Sequence, residues 1–526
     1  MRTPSLRQSM ARIHGWMGLI AGWILFAMFL TGTASYFRPE ITRWMQPEVR
    51  ATPATPSVAA GSAFAYLQRT APHAAQWTLY LPDQRTIATR VFVRDGDVVK
   101  AQPRAKRAPR REVRLDPVQG TPLHARDTRG GEHFYRFHFQ LQLPHPWGRW
   151  LAGACAMCMF GAILSGVITH KRIFVDFFTL RWGKGQRSWL DAHNVSAVVA
   201  LPFHAMITYT GLVTLMVMYM PWPIVANYAK PALFASEAVG ALPEAHRSGT
   251  LAPLTPIAPL VATATRAWGG APPAQILVTN PNDANARITL FRTATDRLRA
   301  RGGAITFSGV DGRWIASSPP PGPAARTAAV LLGLHLGWFA DTGLRWIYFL
   351  LGASGAAMVG TGLILWSKKR VQAHRSAWGQ RLVERLNVAV IACLPAGMAA
   401  YLLANRLIPA ELPGRADLEV STMFYTWFGL TLLACLRPIR RAWRETFAIA
   451  GAACAALPVV NSLTTDRGLP ASLAAGDRLF ASFDFAYLAL AALLFFAAHK
   501  AGTPQPPVPA TRTRRTRAQN ALAHAA

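Results

Sequence analysis

The chain has 526 residues, 51% of them hydrophobic, and a formal net charge of +31. Mean hydropathy is positive and the apolar residues come in blocks, which excludes an ordinary soluble enzyme and makes domain counting by length inapplicable. In a soluble protein this charge would suggest nucleic acid. Here Lys and Arg collect in loops between apolar blocks, the pattern of membrane topology, and no nucleic-acid partner is expected.

In chain order, eight blocks span or nearly span a bilayer, which takes about 20 residues per helix. They are 15–37, 147–169, 194–220, 344–366, 387–408, 420–436, 446–462 and 479–499. The first is longer than a secretory signal core and lacks a convincing small-residue cleavage site, so an uncleaved anchor is expected. Basic residues cluster before block one (Arg2, Arg7, Arg12) and after block two (Lys171, Arg172, Arg181, Lys184, Arg187). They cluster again after block four (Lys368, Lys369, Arg370, Arg375, Arg381, Arg385), after block six (Arg437, Arg440, Arg441, Arg444) and in the tail. With eight spans all these loops fall on one side, which predicts cytoplasmic termini and a disordered basic tail over 500–526. The five cysteines lie inside or at the ends of apolar blocks and suggest no disulfide framework.

Two long segments, 38–146 and 221–343, fall on the other side, and each reads as a small α+β unit. In the first, residues 60–72 read as a helix, followed by strand-like runs at 77–82, 87–101 and 111–125. In the second, 256–268 reads as a helix, with strands at 274–280, 286–293 and 304–318. The basic run over 98–114 is either an attractant for an anionic ligand or membrane surface, or a solvated loop. The layout is thus 1–37 (N-terminus and first span), 38–146 (outside unit), 147–220 (span, basic loop, span), 221–343 (second outside unit) and 344–366 (span). Then come 367–386 (basic loop), 387–499 (four spans) and 500–526 (tail).

The chain carries a repeat. His14 and His193 each open an apolar run and each precede a Thr-Gly pair by seventeen residues, Thr31-Gly32 and Thr210-Gly211. His138 precedes Arg149-Trp150 by eleven residues, and His335 precedes Arg345-Trp346 by ten. Gly166 and Gly362 each follow their tryptophan by sixteen. A parallel duplication of span, outside unit and span, over 14–170 and 193–366, accounts for these offsets. It places His14 beside His193 at the cytoplasmic end and His138 beside His335 at the outer end. Two-fold related imidazoles suit a metal with two axial ligands. Read singly, each of these histidines is more simply an interfacial residue.

His204 lies eleven residues beyond His193. On one continuous helix it would be about 16 Å deeper and roughly 20° round, on the same face. It suits a ligand, a propionate partner or a proton path. His170 suits a ligand or an interfacial residue. His124, His133 and His145 are open, while His73, His246, His374, His499 and His524 read as structural or surface residues. No Gly-rich dinucleotide or phosphate loop is present, and the cytoplasmic segments are too short for a flavin or nicotinamide domain, so electrons entering there need an external donor. No interrupted helix pair or buried carboxylate of the transporter kind is evident.

The segments "HGWMGLIAGWILFAMFLTGTASYF", "GRWLAGACAMCMFGAILSGVITHKRIF", "AHNVSAVVALPFHAMITYTGL" and "GLRWIYFLLGASGAAMVGTGLILWSKKR" resemble the four core helices of the PepSY-associated transmembrane family, over about 10–375. The last four helices lie outside that core. The resemblance implies a multi-pass inner-membrane protein with two periplasmic PepSY-like units. Some family members are ferric-siderophore reductases carrying b-type haem. For this chain it implies two haems b held by His14, His193, His138 and His335, with His170 and His204 next. The implied partners are a ferric siderophore or other Fe(III) complex, a cytoplasmic electron donor and membrane lipid. A non-catalytic protein that binds envelope partners, or a transporter accessory, is the alternative.

Overall fold

The computed structural model describes residues 4–95, 111–170, 179–181, 183–230, 234, 245–300, 302–371 and 378–503. The chain is a multi-pass helical membrane protein. Among the described residues seven helices are long and apolar enough to cross a membrane, and a bent pair makes an eighth. In chain order the helices used below are α1 (Leu6–Ser35), α2 (Arg38–Met45), α3 (Pro56–Thr70), α4 (Glu132–Gln140), α5 (Trp147–Thr169), α6 (Gln186–Val199) and α7 (Leu201–Thr214). They continue with α8 (Ile257–Ala267), α9 (Pro323–Leu336), α10 (Thr342–Val371), α11 (Trp378–Leu407), α12 (Arg415–Leu436), α13 (Ile439–Thr464) and α14 (Arg478–Gly502). A capping box starts α1: the Ser5 hydroxyl accepts from the Gln8 N–H, and the Gln8 side chain accepts from the Ser5 N–H.

The third span corrects the sequence reading. The expected single helix over 194–220 is two helices, α6 and α7, bent by 68° at Ala200. Pro202 is the physical reason: it has no N–H to offer, and its ring clashes with the carbonyl one turn back. The helical-wheel estimate that put His204 on the His193 face therefore does not apply. The expectations of no interrupted helix and no buried carboxylate are also overturned, because Glu419 and Asp484 are fully buried on α12 and α14.

The two segments expected as separate α+β units merge into one seven-stranded sheet. Its strands are β1 (Gln76–Tyr80), β2 (Thr89–Arg94), β3 (Arg111–Leu115), β4 (Pro273–Thr279), β5 (Arg287–Arg292), β6 (Ala304–Ser308) and β7 (Trp314–Ser317). The order is β3-β2-β1-β4-β5-β6-β7, so the sheet reads outward alike in both directions from the β1–β4 junction. That junction is antiparallel, with Thr78 opposite Leu277. Helices α3 and α8 cover the sheet side by side, and Phe64, Leu67, Trp77, Leu260, Val261 and Ile276 share one core. The basic run was expected to be an attractant or a solvated loop; its residues 98–110, like the tail 504–526, lie outside the described residues.

The span alternation puts this sheet at one end of the helices and the basic connections at the other. Helix α1 packs against α5 and α10, and α6 packs against α10. Helices α11–α14 form a second bundle that docks on α1, α2 and α4 through Trp44, Met45, Phe134, Leu402, Met423 and Phe480. Its anchor is polar as well. Arg406 donates to Asn461 Oδ1 (2.9 Å), to Asn405 Oδ1 (2.6 Å) and to the Trp44 carbonyl. Arg415 pairs with Glu419 at 3.0 Å, both fully buried, and reaches the Asp127 carbonyl.

Candidate haem sites

Four histidines converge in two pairs. The His14 and His193 rings stand 6.1 Å apart between centroids, at 70° to one another. The His138 and His335 rings stand 6.2 Å apart, at 34°. Each pair takes one histidine from 14–170 and one from 193–366. His14 is on α1 and His193 on α6, at the end away from the sheet. His138 is on α4 and His335 on α9, two short helices that lead into the spans α5 and α10.

One local device holds all four rings. His14 Nδ1 donates to the Ala162 carbonyl (2.8 Å), His193 Nδ1 to Met358 (2.8 Å), His138 Nδ1 to Met28 (2.7 Å) and His335 Nδ1 to Ile207 (3.1 Å). Every acceptor lies four residues before a glycine on its helix: Gly166, Gly362, Gly32 and Gly211. In a helix such a carbonyl already accepts the glycine N–H, but it has a second lone pair. An imidazole reaches that lone pair only if the residue one turn above carries no side chain. A Cβ at Gly32 would stand 2.6 Å from His138 Nδ1; at Gly211, Gly362 and Gly166 the closest ring approaches would be 2.9, 3.1 and 3.2 Å. A hydroxyl precedes each glycine. Thr31, Ser165, Thr210 and Thr361 each donate back to the carbonyl four residues earlier, all at 2.7 Å. Each also approaches the carbonyl that the histidine uses.

The consequence is a fixed tautomer. With Nδ1–H committed to a carbonyl, Nε2 of each ring is left with its lone pair for a metal. Two imidazoles that held one metal between them at about 2.0 Å each would have ring centroids roughly 6 Å apart, the spacing of both pairs. Among the described residues no group of three or more His, Cys, Asp or Glu could hold a metal ion. Two imidazoles alone leave a transition metal under-coordinated, so a metal held by either pair would need further ligands, of the kind a haem would supply. Burial pushes the His138 and His335 pKa values below the ordinary imidazole range, and in His335 the neighbouring His138 adds to this, so both are neutral at pH 7.

Each pair opens on a cavity. The sheet-side cavity, about 400 Å³, includes Arg38, Arg85, Arg149, Tyr135 and Phe139 in its walls. Arg149 Nε is buried without a partner. This is a cation placed for an acidic group in the cavity, such as a haem propionate. Its repeat counterpart, Arg345, instead pairs with Glu40 at 2.6 Å. Among the described residues, no Arg, Lys, Asp or Glu lines the opposite cavity, about 350 Å³ in volume. The residues present fit a haem in each cavity.

The remaining histidines separate cleanly. His170 lines the opposite cavity but is not one of the facing rings. His204 is fully buried and lines the same cavity; its Nε2 donates to the Leu351 carbonyl (3.3 Å) and its Nδ1 has no partner. It also touches Phe29, with ring centroids 5.9 Å apart, and Phe29 lines the sheet-side cavity. His133 is a core residue, stacked on Phe137 and 3.2 Å from the Met423 sulfur. His124 is exposed and paired with Glu411, which raises its pKa. His73, His145, His246 and His499 are exposed; His374 and His524 lie outside the described residues. Sequence reasoning missed Ser165 and Thr361, although the Ser/Thr-Gly dipeptide recurs at all four positions. It also linked Thr31-Gly32 to His14, whereas that pair serves His138.

The four histidines lie within residues 11–369, the extent of a match to the PepSY-associated TM region. The chain belongs to the PepSY-associated TM family. A similar relative, an uncharacterized protein of Pseudomonas aeruginosa, is 26% identical over 343 residues, covering 60% of this chain and 82% of the relative. The family match ends with α10, so the α11–α14 bundle is an addition to the PepSY-associated TM core.

Proposed function

We propose that this protein is a di-haem electron carrier of the bacterial inner membrane that reduces a ferric complex, in the first instance a ferric siderophore, on the sheet side. The basic loops and termini would be cytoplasmic and the sheet periplasmic. The observation that carries the reading is a pair of imidazoles about 6 Å apart in the walls of each of two cavities. Haem bound there would supply one-electron chemistry between Fe(III) and Fe(II). The chain's own residues hold each ring in one tautomer, exclude water with apolar helices and place Arg149 to balance acidic charge on the sheet side.

His14 and Gly32 on α1 are about 27 Å apart along the helix axis, so the space between the sites matters. Leu25 and Met159 line both cavities, and the His204–Phe29 contact joins them. Apolar and aromatic side chains thus fill the space between the two cavities. A separate one-electron donor would act at the face away from the sheet.

The experiment is a dithionite-reduced minus oxidised spectrum of the purified protein, with pyridine haemochrome quantification. Two haems b per chain are expected. No Soret band, as purified and after haem reconstitution, would end this reading. The broken third span and the buried Glu419 and Asp484 favour a second reading, a transporter. It predicts substrate movement into vesicles without any change of oxidation state. Against it, Glu419 is neutralised by Arg415 and Asp484 accepts from Asn461 (3.2 Å), as befits an anchor.

A further inference from the structure

A third cavity, about 620 Å³, lies beside the sheet-side haem site, between β2, β3, α2 and α4. Among the described residues, seven arginines and two glutamates line it. Glu132 is shared by Arg38 (3.1 Å) and Arg136 (3.0 Å). Glu112 is shared by Arg90 (3.0 Å) and Arg114 (3.6 Å). At the rim, Arg129 pairs with Asp417 and Arg467 with Asp477. Arg43 makes no ion pair or side-chain hydrogen bond among the described residues. Counting the rim aspartates, arginines outnumber their paired acids by three among the described residues of one concave site, with Asp477, Glu40 and Asp83 acting on Arg43 only through space.

We propose that this pocket is where the substrate docks, and that the substrate is an anionic Fe(III) chelate carrying carboxylate groups. This rests on the function proposed above and names its substrate class. Guanidinium forks match carboxylates bidentately, and two of these arginines already hold one carboxylate between them twice over. Such sites select multivalent anions and reject cationic or neutral chelates by leaving the arginines uncompensated. Position supports the assignment: Arg38 and Pro39 line both this pocket and the sheet-side haem cavity. Helix α4 carries His138 as well as Glu132 and Arg136. A chelate held here would sit against the wall of the haem site. An anionic lipid headgroup has the same chemistry, so the source must be separated.

The test is binding, not turnover. The full chain in zwitterionic nanodiscs would be titrated calorimetrically with redox-inert Ga(III)–citrate, and separately with a cationic Ga(III) trihydroxamate. Saturable binding of the first only is expected. Arg43→Gln should weaken it at least tenfold and Arg43→Gln/Arg136→Gln should abolish it, with unchanged elution and thermal midpoint. Equal binding by the variants, or no binding, would overturn the inference. So would binding lost to tightly held anionic lipid found by native mass spectrometry. Because gallium is not reduced, a protein with two haems that fails here loses the pocket and keeps the proposed function, while one that binds without haem loses the function.

Discussion

The pair away from the sheet takes both rings from spanning helices, at 70° to one another, in a cavity whose described walls carry no Arg, Lys, Asp or Glu. The sheet-side pair takes both rings from short helices that do not span, at 34°, in a cavity with three arginines. The grip on each histidine is the same in both. A shared device in different surroundings separates two variables that usually change together: how a ligand is held, and what field it feels. The same ligand set can then sit at two potentials.

The largest effect should come from removing ligands. His138→Ala or His335→Ala should halve haem content and leave the other site spectrally intact, and His14→Ala or His193→Ala should do the reciprocal. If one substitution empties both sites, the pairs are not independent. Next in size are the glycines. Gly32→Ala puts a methyl 2.6 Å from the His138 ring, an overpacking worth about 1–3 kcal/mol, and should lower sheet-side haem occupancy. Gly166→Ala, at 3.2 Å, should cost less; haem retention through gel filtration ranks the two.

The charge difference predicts a higher midpoint potential on the sheet side, because cations favour the reduced state. Arg149→Gln should lower that potential alone, by an interaction of about 1–2 kcal/mol at an effective dielectric near 20, read by spectroelectrochemical titration. Acid should act on the same side. His138 and His335 have lowered pKa values, so the folded state binds fewer protons than the unfolded chain. Their contribution is complete above the unfolded imidazole value of about 6.5 and is lost as pH falls below it. The haem-free protein should melt at lower temperature at pH 5 than at pH 7, and His138→Gln/His335→Gln should flatten that slope. The smallest effect is Thr210→Val. Its hydroxyl is 3.1 Å from His335 Nδ1, so only the sheet-side low-spin electron paramagnetic resonance signal should shift.

The spans were legible because bilayer thickness forces apolar length, and the strands because Gly and Asp punctuate alternating runs. The histidine pairing was legible through the matched offsets, which named His14 with His193 and His138 with His335, the rings that stand together. The union of the sheet was not: β1 and β4 are joined by a register across some two hundred residues, which local pattern does not encode. The break at Pro202 was written in the sequence, and the apolar run around it masked the signal. The grip of Arg406 and Arg415 on Trp44 and Asp127 was unreadable, because its carbonyl acceptors are set by tertiary placement rather than by residue type.

The β1–β4 junction has one more consequence. Five consecutive residue pairs, from Gln76 opposite Thr279 to Tyr80 opposite Gln275, tie the two halves of the molecule across their shared edge. Machines that alternate between inward and outward openings need their halves to tilt past each other. Halves laced together by backbone cannot tilt without tearing that seam. The seam therefore favours two halves that keep one relative position, which suits the proposed electron carrier better than an alternating transporter.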